Sequence, residues 1–234
     1  MQKIADGIYT LDGLFVGRVY IIVGSDGLTM IDATVPGAVG KITSELGKIG
    51  RQLSEIKRIL ITHAHPDHIG SLAAVQKLTG AQVYVHPRDA AATRGDEPIT
   101  RPDPKTLTGL TKFLASALPN PKMDPSPVHR EIVEGDKLDE VLPGFTLVET
   151  PGHSPGQVAF WYPSLRLMFC GDTVGVFDRM RLPIAPATVD MAQAKRSIRK
   201  IADMDIDILC FGHGKPMIGN ASAALRVFAT KVGV

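Results

Sequence analysis

The segment Lys57–Thr62 contains the apolar run Ile59-Leu60-Ile61 and passes without a linker into Thr62-His63-Ala64-His65-Pro66-Asp67-His68-Ile69-Gly70. A continuous apolar strand, with no polar alternation, needs cover on both of its faces. A helix over Ile69–Thr79 follows, with Ile69, Leu72, Ala73, Val75 and Leu78 on one side and Gly80 as its stop. Gln82–His86 is the next strand. Upstream, Ile8–Leu11 and Arg18–Val23 read as strands, Gly24-Ser25-Asp26-Gly27 as a hairpin turn, and Leu28–Ala33 as the returning strand. Pro36 opens a helix that runs to Ile49 before Gly50. Strands and helices in this order require at least partly parallel pairing, with helices packed on the sheet.

The second half repeats the alternation. Strands are predicted at His129–Val133, Phe145–Thr150, Gln157–Tyr162, Arg166–Gly171 and Ile206–Phe211, and helices at Asp190–Ala202 and Ala221–Val232. Both halves run strands first and helices later. An α/β sandwich, two sheets face to face with helices outside, buries such a pattern, in one domain spanning 1–234. Between the halves, residues 95–127 read as an insertion: two loops rich in proline flank an amphipathic helix over Lys105–Leu118, with Leu107, Leu110, Phe113, Leu114 and Ala117 on one face. Such a segment either overhangs a site or supplies an ordinary core helix.

Composition excludes several classes of chain. Hydrophobic residues make up 44% and charged residues 21%, enough for a full core and unlike a disordered chain. The net charge is +2, from 26 basic and 24 acidic residues, which gives no electrostatic footprint for nucleic acid. The basic helix face Lys195, Arg196, Arg199 and Lys200 reads as a solvated one. The two cysteines, Cys170 and Cys210, sit in apolar runs and read as buried free thiols. No apolar leader opens the chain, and no run approaches the length of a membrane helix, so a cytoplasmic location is expected, with a trimmed periplasmic protein as the alternative.

His63 and His65 are two apart, so on an extended backbone they point to one side and can share a metal. Asp67 and His68 lie at the turn into the helix and aim at a neighbouring point; Asp67 also stands where a helix N-cap would be. Three further ligand types recur beside glycine at strand ends: His153 in Thr150-Pro151-Gly152-His153-Ser154-Pro155-Gly156, Asp172 in Gly171-Asp172-Thr173, and His213 in Gly212-His213-Gly214. Five of the seven histidines fall in these clusters. His86 and His129 lie outside the pattern and read as non-ligands.

His-x-His-x-Asp-His, a later Gly-His, Gly-Asp-Thr and a final Gly-His-Gly, in that order, resemble the metallo-β-lactamase superfamily. The resemblance covers Asp32 to His213 and implies an αβ/βα sandwich of two mixed sheets with two metals at one edge. It implies that His63, His65 and His153 hold the first metal, that Asp67, His68 and His213 hold the second, and that Asp172 bridges them. Asp67 and Asp172 are thus the expected catalytic carboxylates. Asp32, after the strand Leu28–Ile31, resembles the family's aspartate that supports the ligand loop from behind. The cofactors implied are two divalent ions, zinc first, with manganese or iron as alternatives. Two carboxylates and five neutral imidazoles leave such a site net positive, so a bridging water loses its proton near neutral pH and the hydroxide attacks a carbonyl or phosphorus. No Gly-x-Ser-x-Gly nucleophile elbow is present.

The expected activity is hydrolysis of an ester, lactone, thioester or β-lactam. The alternatives are a phosphodiesterase of the same fold or a mononuclear iron persulfide dioxygenase. Only Gly214–Val234 follows His213, which disfavours the glutathione thioesterases of the superfamily, whose C-terminal region is long and helical. The tyrosines are Tyr9, Tyr20, Tyr84 and Tyr162, and none lies between Asp172 and His213, where the superfamily's quorum-quenching lactonases carry one. Phe15, Phe177, Arg179 and Arg181 are candidate substrate contacts. The expected partner is a small molecule, without membrane or nucleic acid; a homo-oligomer stays open.

Overall fold

The computed structural model describes the whole chain except Phe15, Pro119, Asn120 and Phe177. Seven strands form one sheet in chain order: β1 (Gln2–Ala5), β2 (Ile8–Thr10), β3 (Tyr20–Val23), β4 (Leu28–Ile31), β5 (Ile56–Leu60), β6 (Gln82–Val85) and β7 (Arg130–Glu131). The first four pair antiparallel, and β4 through β7 pair parallel. Parallel neighbours need crossovers. These are α1 (Val39–Gly47), then α2 (Pro66–Ile69) with α3 (Leu72–Thr79), then α4 (Pro87–Arg94) with α5 (Gly109–Ala117). The second sheet uses β8 (Thr146–Glu149), β9 (Val158–Tyr162), β10 (Leu167–Gly171), β13 (Ile208–Phe211) and β14 (Met217–Ile218), in the order β14-β13-β10-β9-β8. A small ribbon, β11 (Gly175–Val176) with β12 (Met180–Arg181), stands apart from both.

Strand alternation sorts the apolar residues into three layers. In β3, Ile21 faces Ile42 and Leu46 of α1 and Leu72 and Val75 of α3. Its neighbours Tyr20 and Ile22 face the other way, into a layer between the sheets shared with Phe145, Phe160 and Phe169. In β10, Leu167 and Phe169 point into that middle layer. Met168 and Cys170 point out, under α6 (Met191–Ala202) and α7 (Ala221–Lys231), where they meet Ile198, Ile201, Leu225 and Phe228. The predicted sandwich of two mixed sheets with outer helices is thus the observed one. Both cysteines are free and buried, and burial pushes both thiols well above their ordinary pKa.

One hydrogen bond ties this packing to the site. Buried in the middle layer, Tyr20 of the first sheet donates from its hydroxyl to the Phe211 carbonyl of the second, at 2.6 Å. That carbonyl is two residues before His213. Replacing Tyr20 by phenylalanine leaves the acceptor buried without this donor, and is expected to cost about 1–3 kcal/mol in urea unfolding.

Several element boundaries differ from the sequence reading, each for a local reason. The first helix starts at Val39 rather than Pro36, because Gly37 takes a φ of +82° and the Ala38 N–H is held by the Ser71 hydroxyl. The strand predicted over Leu28–Ala33 stops at Ile31, because Asp32 and Thr34 adopt φ of 58° and 47°. The helix predicted over 69–79 is two helices. Gly70 and Ser71 turn aside to bond Thr34 and Val35, and a side chain at Gly70 would strike Pro36 at 2.4 Å. Asp67 is not the N-cap: His65 precedes the helix, Pro66 opens it, and Asp67 lies in its first turn. The amphipathic helix of the insertion forms as α5, but it is not a core helix. Leu110, Phe113 and Leu114 are exposed, and α5 rests on the turn Ala185–Ala187. α4, β1, β14 and the ribbon had no counterpart in the sequence reading.

Candidate metal centre

The candidate ligands all follow strand ends at one edge of the sandwich. β5 leads to His63, the β8–β9 loop carries His153, β10 leads to Asp172 and β13 leads to His213. There the side chains gather into three overlapping groups, each with its ligand atoms within 4.8 Å of one another: His63, His65 and His153; His63, His68 and Asp172; Asp67, His68 and His213. Asp172 lies between the outer two. Its Oδ2 is 3.5 Å from His153 Nε2 and 3.2 Å from His213 Nε2, and its Oδ1 is 3.6 Å from His68 Nε2. Asp67 Oδ2 is 3.1 Å from His213 Nε2. Close backbone approach makes this convergence possible at Gly212, where a Cβ would sit 2.0 Å from Asp172 Oδ1. Gly17 closes the other side, its φ at +65° and the position of its missing Cβ 1.8 Å from the Asp67 carbonyl oxygen.

Supporting hydrogen bonds set the imidazole tautomers. The kink at Asp32 turns its buried carboxylate toward Thr62 and His68. Oδ1 accepts from the Thr62 N–H at 2.8 Å, and Oδ2 accepts from the Thr62 hydroxyl at 2.8 Å and from His68 Nδ1 at 2.8 Å. Because the Thr62 hydroxyl gives its one hydrogen to Asp32, its oxygen accepts from His63 Nδ1 at 3.1 Å. In the same way the Thr188 hydroxyl donates to the Ile184 carbonyl, so it accepts from His153 Nδ1 at 3.1 Å. In the neutral rings the Nε2 lone pairs of His63, His68 and His153 therefore face the centre. Holding one ring nitrogen as a donor is how proteins aim the other at a metal.

The electrostatics differ between the two sides. Burial, reinforced by the neighbouring imidazoles, drives His63 well below its ordinary pKa, and burial lowers His65 too. Burial and the charge on His65 bring His153 down to about 3. On the other side burial also pushes His68 and His213 down, but carboxylates outweigh it. Asp32, Asp172 and Asp67 hold His68 up at about 9, and Asp172 and Asp67 hold His213 up at about 10. Burial would raise Asp67 and Asp172, yet the charges on His68 and His213 keep both well below the carboxylate range.

The donor set fits divalent metal. Among the described residues, His68 Nε2 and Asp172 Oδ1 are buried polar atoms without a hydrogen-bond partner. Such atoms are costly unless something else completes them. Imidazole and carboxylate donors suit zinc, manganese and iron.

The other expected site residues divide. Asp32 bonds Thr62 and His68, behind the candidate ligands. Arg181 lines a cavity of about 640 Å³ over the centre, together with Leu14, Val16, Val176, Leu182 and Ile184. Arg179 is exposed, 4.0 Å from Asp178, and is not among the residues lining that cavity. Phe15 and Phe177 lie outside the described residues. His86 caps α4 and bonds Glu149 at 3.0 Å, and His129 Nδ1 accepts from the Val83 N–H at 3.0 Å, so each has a structural partner. The basic face of α6 is engaged locally: Lys195 bonds the Val232 carbonyl, Arg196 Gln193, Arg199 Asp203 and Lys200 Glu134. Asp89, buried between the ligand loops, was missed. In Pro87-Arg88-Asp89-Ala90 nothing in its spacing points to residues far along the chain.

Known proteins resemble this chain in sequence and in fold. The profile of the Metallo-beta-lactamase superfamily matches residues 12–213. The "Probable metallo-hydrolase YflN" of Bacillus subtilis (strain 168) is 30% identical over 204 residues, covering 81% of this chain and 76% of its own. The hydroxyacylglutathione hydrolase of Albidiferax ferrireducens is 29% identical over 143 residues, 59% of this chain and 41% of its own length. Among solved structures, BJP-1, a subclass B3 metallo-beta-lactamase of Bradyrhizobium japonicum, superposes with a TM-score of 0.73 at 26% identity, covering 98% of this chain and 89% of that one. A metallo-beta-lactamase family protein from Thermus thermophilus shares the fold at a TM-score of 0.74 and 21% identity, over 98% of this chain and 80% of that one. With the match running from the early hairpin to the last candidate ligand, on a sandwich that gathers those ligands at one edge, the chain belongs to the metallo-β-lactamase superfamily.

Proposed function

We propose that the chain is a dinuclear metal hydrolase, zinc-dependent, acting in the cytoplasm on an ester, lactone, thioester or β-lactam carbonyl of a small molecule. The observation that carries this reading is Asp172, set between two ligand clusters with one buried oxygen left for a metal. His63, His65 and His153 would hold one ion, Asp67, His68 and His213 the other, and Asp172 both. When bound, such ions supply Lewis acidity and a water made acidic to a pKa of about 7. Asp67 and Asp172, kept anionic by their surroundings, hold the positive charge in place rather than acting as strong bases. Asp32 and Thr188 keep the rings aimed. Leu14, Val16, Val176, Leu182 and Ile184 receive the apolar part of the substrate and exclude water around the scissile group. The segment 95–127 shapes one wall indirectly, because α5 rests on the turn Ala185–Ala187 beside Ile184.

The subclass B3 structure and the thioester-cleaving relative support a carbonyl substrate, without choosing among the four. The test is metal analysis of purified protein followed by a panel of lactone, thioester, β-lactam and phosphodiester substrates. Two equivalents of metal per chain and chelator-sensitive turnover of a carbonyl substrate are expected. Less than one equivalent at full turnover, or turnover of the phosphodiester alone, would overturn the proposal.

A further inference from the structure

Buried in the first turn of α4, Asp89 accepts from three donors, and all of them lie on the two loops that carry His63, His65 and His153. Its Oδ2 takes the Ala64 N–H at 2.8 Å, its Oδ1 takes the Gly156 N–H at 2.9 Å, and the Ser154 hydroxyl lies 2.7 Å from both oxygens. Ala64 is the residue between His63 and His65, and Ser154 follows His153. One carboxylate thus fixes the backbone beside each of these three imidazoles. Gly156 comes so close that a Cβ there would lie 2.6 Å from Asp89 Cγ. Asp32 does the corresponding work elsewhere, on Thr62 and His68.

We infer that Asp89 is a positioning residue for the three-histidine half of the metal centre: it clamps the 63–65 loop to the 153–156 loop and sets the affinity of that half alone. The inference rests on the metal-centre reading above. Its chemistry is that of a bidentate acceptor. An asparagine in its place would turn an amide NH₂ toward either the Ala64 or the Gly156 N–H, donor against donor, and the two loops would separate. Removal of such supporting partners lowers metal affinity by about 10–100-fold.

The experiment titrates metal-free protein with cobalt(II), following the visible absorption of the tetrahedral ion, and repeats it with zinc by calorimetry. Wild type, Asp89→Asn, Ser154→Ala and Asp32→Asn are compared, each checked for native circular dichroism without metal. Asp89→Asn is expected to weaken one of the two binding steps about 10–100-fold and leave the other within a factor of about three. Ser154→Ala should weaken the same step to a smaller degree, and Asp32→Asn, which frees His68 directly and His63 only through Thr62, should weaken chiefly the opposite step. Ser154→Ala removes only a hydroxyl, so it decides the matter if Asp89→Asn does not fold. Wild-type affinities for both steps in Ser154→Ala and in any folded Asp89→Asn would overturn the inference, as would equal loss of both steps in a folded variant. Wild type that binds no metal would overturn instead the reading of the centre itself.

Discussion

Asparagine in place of Asp172 is expected to leave a folded chain with roughly one metal per molecule instead of two, and with kcat/KM lower by about two to four orders of magnitude. The substitution keeps the shape of the side chain and removes one charge and one acceptor. Asp172 is the carboxylate that reaches His153, His68 and His213 together, at 3.5, 3.6 and 3.2 Å. An amide there turns its NH₂ toward one of the clusters, where it repels a cation. The remaining donors, His63, His65 and His153, still form a three-ligand site of the kind that holds a single zinc. Elemental analysis after dialysis and steady-state kinetics on the best substrate of the panel check both parts. Two metals per chain and a rate within tenfold of wild type would show that Asp172 does not join the two halves. The Tyr20→Phe variant is the contrasting case, since it weakens the sheet contact two residues before His213 and is expected to lower stability more than metal content.

The gathering of these candidate ligands was legible because they sit where strands end. An apolar strand that stops at Thr62 must be followed by a turn, and His63 and His65 on extended backbone share a side whatever the rest of the fold does. The same holds for Asp172 and His213, each placed by a glycine that allows the approach. The two-sheet sandwich was legible through the order of strands and helices in both halves of the chain. Long-range contact decided the rest. Whether Leu110, Phe113 and Leu114 face a core is not encoded in their spacing, because another layer must exist to cover them, and here none does. Gly70 lies within an apolar period that predicts a continuous helix, yet the passing backbone at Val35 and Pro36 breaks it. Asp89 joins residues 64, 154 and 156 through three donors on other elements, a pattern visible only once the sheets have closed.

The two halves of the centre are expected to load at different pH. Without metal, His63, His65 and His153 have lowered pKa values and carry no proton at neutral pH, so a metal entering there displaces none. His68 and His213, held up at about 9 and about 10, are protonated at pH 7, and a metal entering between them and Asp67 must displace both protons. Affinity of the second step should therefore rise about a hundredfold per pH unit below about pH 8 and level off above about 10, while the first step stays nearly flat. Stability without metal runs the other way. Raised histidine values contribute stability that is complete below their ordinary value near 6.5 and is lost as pH climbs through 9 and 10. The depressed Asp67 and Asp172 contribute stability that is present above their ordinary value near 3.8 and is lost only in strong acid. The lowered His63, His65 and His153 act oppositely, because below their ordinary value near 6.5 the unfolded chain takes up protons that the folded chain refuses. Metal-free protein should then melt at its highest temperature at about pH 6.5 and at falling temperatures both toward about pH 4 and toward about pH 10, and the increment from added zinc should grow over the alkaline range. Calorimetric titration at pH 7 in buffers of different ionisation enthalpy measures the protons directly. Close to none are expected for the first equivalent of zinc and close to two for the second; equal release in both steps would mean that the protons are shared across the centre rather than confined to the Asp67 side.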